Sequence, residues 1–177
     1  MQHVRRIVTG VNDAGKSCVV QDGPSPGLLD FGSFVIQEQW KVNGLPVEPN
    51  APGDPADVDR YFLEPPAGGA KFCFFTIQPD DGSTEMSDEK LALIQEKYVG
   101  LEAHDDPDDV SWHRTETLDF IILMSGEMIL DLDEGEVHLS PGDVVIQRGT
   151  RHAWRNPGNV PATGASIMLS ARPASDE

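Results

Sequence analysis

The sequence predicts an all-β chain folded as a closed or double-sheet barrel of the jelly-roll kind, and three observations lead there. Six short apolar runs, Leu118–Met124, Glu127–Leu132, Glu136–Leu139, Asp143–Gln147, Arg151–Arg155 and Thr163–Ser170, follow one another with turn residues between them. The chain carries 17 Gly and 14 Pro in 177 residues, a composition that favours many turns over long helices. One segment alone, Asp88–Val99, has the features of a good helix.

Earlier in the chain, Val4–Val8 and Ser17–Val20 read as a hairpin around the turn Gly10–Gly15, because β-branched residues flank a Gly/Asn/Asp cluster. Phe34–Trp40 and Lys71–Gln78 are further strands, rich in Phe, Val and Ile. Between them Pro46–Gly69 holds six prolines, a density that removes ladder donors and predicts a lid or mouth-lining loop, with Tyr61-Phe62-Leu63 as its apolar insert. In the helix Asp88–Val99, Ser87 is the cap, acids occupy the first turn, Leu91, Ile94, Gln95 and Tyr98 fall near one face, and Gly100 is the stop. The length suits one domain, with residues 1–45 as N-terminal strands, 46–110 as a loop-rich region with a strand and a helix, and 111–170 as the main barrel.

Charge narrows the choice of partner. Thirteen Lys and Arg against 30 Asp and Glu give −17, which repels nucleic acid unless a basic patch exists, and the basic residues are scattered. The longest apolar run, Phe120–Met124, is far below the ~20 residues of a spanning helix, so no membrane partner is expected. Met1–Arg6 leads into an alternating strand rather than a signal segment, so a cytoplasmic location is expected, with Cys18 and Cys73 reduced in strands.

One literal motif is set aside. Gly10–Ser17 fits G-x-x-x-x-G-K-[ST], but a phosphate loop needs a helix directly after Lys-Ser, and Cys18–Pro26 cannot supply one. A hairpin turn is the reading that remains.

The residues that carry chemistry lie in two stretches. His113, Thr115, Asp119 and Gly126 form the first; Gly142, Gln147, Gly149, His152 and Asn156 form the second. These resemble the two motifs of the cupin superfamily, H-x-H-x3-4-E-x6-G and G-x5-P-x-G-x2-H-x3-N. Thr115 stands for the second His, Asp119 for Glu and Gln147 for Pro, and one residue is missing after Gly142. The resemblance implies a cupin-type double-stranded β-helix, with one short helix before the motif strands. It further implies that His113, Asp119 and His152 are catalytic residues, and the ligands of one divalent Fe, Mn, Ni or Zn ion. Because residues two apart on a strand share a face, His113, Thr115 and Asp119 are expected to point together, with Leu118, Phe120 and Ile122 opposite. A metal-free variant makes either His a general base oriented by Asp119, and the bland alternative is a hydrogen-bonded polar interior.

Thr115, Trp154, Arg151 and Phe62 are candidate ligand contacts: Trp154 as an aromatic wall or a packing residue, Arg151 (like Arg114 and Arg155) as a carboxylate partner or a surface cation. His3, His104 and His138 read as terminal, solvated and exposed. The expected function is a metal-dependent enzyme acting on a small oxygenated molecule as a decarboxylase, isomerase or dioxygenase. The alternative is a non-catalytic small-molecule sensor barrel, and a storage role ranks last. A homodimer is expected because an open sheet edge and the N-terminal strands invite pairing.

Overall fold

The computed structural model describes residues 4–57, 60–80, 89, 92, 96–100 and 111–172. Thirteen strands run through them: β1 (Arg5–Val11), β2 (Ser17–Pro24), β3 (Gly27–Asp30), β4 (Phe34–Val42), β5 (Tyr61–Phe62), β6 (Ala70–Ile77), β7 (Tyr98–Val99), β8 (Thr117–Ser125), β9 (Met128–Leu132), β10 (Glu136–Leu139), β11 (Val144–Gln147), β12 (His152–Arg155) and β13 (Ala162–Ser170). Six of them form one antiparallel sheet in the order β11-β8-β13-β6-β4-β3, and three form a second, β10-β9-β12. The all-β jelly-roll class is therefore as expected.

Two differences concern where the strands come from. The large sheet takes β3, β4 and β6 from residues 27–77, so three of the nine strands in the two sheets come from outside 112–170. β3 is only four residues long and contains Gly27 and Asp30, too little alternation to stand out as a strand. The helix expected over Asp88–Val99 lies mostly outside the described residues; Glu89, Ala92, Glu96 and Lys97 are helical, but Tyr98–Val99 forms β7, pairing parallel with β5. Tyr98 is buried against Leu29, Phe31, Ile36, Tyr61 and Cys73, which explains why the chain leaves the helix there.

Period-two pleating sets the core. Along β8 the odd residues Thr117, Asp119, Ile121 and Leu123 are buried, while Phe120, Ile122 and Met124 are exposed. Ile121 and Leu123 pack with Phe75 of β6, Met128 and Leu130 of β9, and Leu139 of β10, joining the two sheets. The glycines of the first and second motifs are turn positions: Gly126 and Gly149 take φ of 77° and 63°, and a Cβ on Gly126 would lie 2.6 Å from the Ala162 Cα.

The hairpin β1–β2 forms a separate two-stranded sheet, and its turn disposes of the phosphate-loop match. Asn12 Oδ1 accepts from the Ala14 and Lys16 amides, and Ser17 opens a strand. Arg6 fastens the hairpin to the body through the Gln39 carbonyl and the Asp54 carboxylate, whose pKa it holds below the ordinary value. Cys18 and Cys73 are unpaired thiols.

Asn156, the motif asparagine, is a structural clamp. It is fully buried, donates to the carbonyls of Ile77 at 3.0 Å and Val160 at 2.8 Å, and accepts from Gly158 N at 2.9 Å. Asn156→Ala removes three hydrogen bonds to backbone groups, so urea denaturation is expected to show a loss of about 3 kcal/mol, with a value under ~1 kcal/mol arguing against the clamp.

Candidate functional site

One end of the space between the sheets is polar. Thr115, Thr117, Asp119, Gln147, Lys71, Glu38 and His152 are all buried there, each less than 9% exposed. The register explains the grouping: Gln147 pairs with Asp119, Asp119 with Met168, and Met168 with Lys71, one inward row across β11, β8, β13 and β6.

Lys71 pairs in turn with Lys41, and Cys73 with Glu38. Residues three apart on a regular strand face opposite ways, yet Glu38 and Lys41 both line the interior, with Lys41 Nζ 3.6 Å from Glu38 Oε1. The cause is a bulge in β4 between Glu38 and Trp40, where Gln39 is the extra residue and the phase of the strand shifts by one.

Each buried ionisable group has an identifiable environment. Asp119 is 4% exposed and Thr117 supports its carboxylate, but Oδ1 has no hydrogen-bond partner among the described residues. Burial raises its pKa to about 6. Glu38 Oε1 likewise makes no hydrogen bond among the described residues, and burial raises the Glu38 pKa against the opposing charges of Lys71 and Lys41. Lys71 spends two protons on the carbonyls of Phe62 at 2.6 Å and Leu63 at 2.9 Å. His152 is pushed down by burial, and its Nδ1 lies 2.9 Å from the Thr150 carbonyl and 3.1 Å from the Gln147 amide nitrogen. A carbonyl only accepts, so the proton resides on Nδ1 and Nε2 is the basic nitrogen.

His113 and His152 meet, with ring centroids 4.3 Å apart and a two-way backbone bridge between them. Asp119 does not join them in a ligand set. Among the described residues no three His, Cys, Asp or Glu side chains come close enough to hold a metal ion. Thr115, in the position of a second motif His, bonds the Thr117 hydroxyl at 2.7 Å, and Asp119 is engaged by Thr117 and paired with Gln147. His152 is oriented by the Thr150 carbonyl, not by Asp119. The residues present do not fit the three-ligand site that the motif implies.

The remaining candidates separate. Arg151 lies over the Trp112 ring, 4.3 Å from its centroid, and pairs with Asp133 at 2.9 Å, so it does not turn into the barrel. Trp154 packs on Phe75 and His152. Thr115 and Phe62 do line a cavity of about 820 Å³ at the polar end, with Glu38, Lys41, Lys71 and Arg114. The insert Tyr61–Leu63 is a fixed wall of this mouth: Tyr61 is buried in the core, Leu63 N bonds the Val99 carbonyl, and Phe62 is 49% exposed. His138 is exposed beside Glu136, while His3 and His104 lie outside the described residues. Glu38, Lys41 and Lys71 escaped the sequence reading. Their one signal was a charge inside an otherwise apolar strand, which is rarely buried without a reason.

Fold and interior together define a double-sheet β-barrel with an apolar floor and a polar, open end. Residues 99–168 match the family model of the cupin domain. It is 47% identical over 64 residues to oryzines biosynthesis cluster protein J of Aspergillus oryzae, covering 35% of this chain and 36% of that protein. It is 53% identical over 64 residues to phomopsin biosynthesis cluster protein C' of Diaporthe leptostromiformis, covering 34% and 33%. Over 65 residues it is 37% identical to the cupin-domain-containing oxidoreductase virC of Hypocrea virens, covering 34% of each. The match thus spans about a third of the length of these relatives.

The raised pKa of Asp119 has a stability consequence. Its protonated form favours folding fully below the unfolded value of 3.8, and that contribution is lost as pH rises through about 6. The difference is on the order of 3 kcal/mol. Asp119→Asn removes the titration, so relative to wild type it is expected to gain stability between pH 4 and 8. Paired denaturant curves check this, and parallel pH profiles would show that Asp119 is not held in this way.

Proposed function

We propose that this cupin is an enzyme that moves a proton on a small oxygenated organic molecule, as a lyase or isomerase, with Asp119 as the acid–base group. The observation that carries the reading is the Asp119 carboxyl itself: buried, short of a hydrogen-bond partner at Oδ1, and held near pH 6. A buried acceptor left open is costly in a resting protein and is satisfied once a ligand hydroxyl arrives. A pKa near the working pH suits a group that must both take and return a proton. Lys71, whose positive charge acts on Asp119, supplies stabilisation for negative charge developing on the ligand.

The relatives named for biosynthesis clusters support work on a small organic intermediate. The oxidoreductase name of one relative points to a redox reaction, but the open carboxyl favours proton transfer here. Proton NMR in D2O with a panel of hydroxy and keto acids tests the reading. Hydrogen exchange or decarboxylation is expected, following an ionisation near pH 6 and falling at least ~100-fold in Asp119→Asn. Turnover that survives Asp119→Asn would overturn it, and binding without turnover would favour the sensor alternative.

The second copy of a homodimer is proposed to sit on the outer face of the large sheet. Phe120, Ile122, Met124, Val144, Ile146 and Ile167 alternate outward from β8, β11 and β13, and each is 37–60% exposed. They present roughly 500 Å² of apolar surface, at the scale of patches that mark contact sites. An isologous interface of about 800 Å² per partner that is about 65% apolar needs the same amount. Two chains of charge −17 approach best where neither carries charge, and these six residues are uncharged. Light scattering is expected to give a mass near twice 19.3 kDa, reduced to 19.3 kDa by Ile146→Asp; a monomeric wild type contradicts the proposal.

A further inference from the structure

The polar cavity has a feature that neither motif accounts for: it is balanced in charge inside a very acidic chain. Acids outnumber bases 30 to 13 overall, yet the cavity is lined by Lys41, Lys71 and Arg114 against Glu38, Glu64 and Glu116. Three of the chain's 13 cations at one mouth are a local enrichment that draws an anion. They are not equally committed. Lys71 holds the carbonyls of Phe62 and Leu63, and Lys41 faces Glu38. Arg114 is exposed at the rim and has no hydrogen-bond or ion-pair partner among the described residues. The acids differ in the same way, since Glu64 Oε1 accepts from the Glu116 amide at 2.8 Å. Glu38 is 98% buried, lines the cavity, and leaves Oε1 without a hydrogen bond.

These two open groups define a ligand with two ends. At the exposed end the guanidinium offers a planar fork suited to a carboxylate. At the buried end Glu38 accepts a donor. That donor is an uncharged hydroxyl rather than an ammonium, because Lys41 and Lys71 already face Glu38 and a third cation would be set against both. Phe62, Pro65, Pro66 and Val99 line the remaining wall with apolar surface, fitting a carbon skeleton between the two ends. We infer that the cavity takes a small hydroxycarboxylic acid, its carboxylate on Arg114 and its hydroxyl on Glu38. The inference rests on the reading of this barrel end as a site for small oxygenated molecules and names the class.

Calorimetric titration tests it with three hydroxy acids of increasing length, 4-hydroxybenzoate, 4-hydroxyphenylacetate and 3-(4-hydroxyphenyl)propanoate, the same three acids without the hydroxyl, and tyramine as the ammonium counterpart. At least one hydroxy acid is expected to bind ~10-fold or more tightly than its deoxy partner and than tyramine. Arg114→Gln is expected to abolish the advantage over tyramine and keep the advantage of the hydroxyl. The isosteric Glu38→Gln is expected to shrink the hydroxyl advantage to under ~3-fold, with thermal melting confirming that each variant is folded. Equal binding of hydroxy and deoxy acids, tighter binding of tyramine, no binding by any hydroxy acid at 10 mM, or indifference to both substitutions would overturn the assignment. Asp119→Asn separates this from the catalytic reading: turnover lost in that variant while hydroxy acids fail to bind leaves the enzyme reading standing and removes the ligand class alone.

Discussion

The pleat of β8 is the constraint on which the rest of the molecule depends. Its buried face carries Thr115, Thr117 and Asp119 at one end, running on from the strand's start, and Ile121 and Leu123 at the other. Because β8 is flanked by β11 and β13 within the large sheet, this one alternation divides the interior lengthwise. The apolar half joins the sheets through Met128, Leu130 and Leu139. The polar half cannot do so, and it is left to face a cavity.

That division explains how burial and chemistry coexist. Carboxylates and ammonium groups are costly away from water unless paired, and the polar end pairs them incompletely. Lys71 is satisfied by two backbone carbonyls that belong to the wall of the mouth, so one side chain both neutralises the interior and fixes the wall. Asp119 and Glu38 keep open oxygens. The apolar half and the Asn156 clamp provide the rigidity against which such open groups persist.

What the sequence revealed follows from the range of the interactions involved. The strands from Leu118 onward were legible because local alternation and turn residues decide them, and the shared inward face of Thr115 and Asp119 followed from the same period. The contribution of β3, β4 and β6 to the large sheet was not legible, since long-range pairing decides it. Nor was the separation of Asp119 from the histidine pair: a motif gives the order of residues, whereas Thr117 and the Thr150 carbonyl determine where the side chains end up. Glu38 and Lys41 were hidden for a related reason, because parity along β4 assigns them to opposite faces and only the bulge brings them together.

The bulge at Gln39 also bears on how a barrel of this kind can change the length of a strand without changing its ligand. Upstream of it the even positions Ile36 and Glu38 look inward; downstream the odd position Lys41 does. Removal of one codon there would leave Glu38 and Lys41 two apart on a regular strand, so both would still look inward and the lining of the mouth would be kept. A length change in an interior strand is usually damaging, but at a residue that is already surplus to the ladder it leaves both the pairing and the lining in place. Chains that share this barrel could thus differ by a one-residue gap here and keep the same charges at the mouth, and a comparison that read the gap as a change of facing would misplace Lys41.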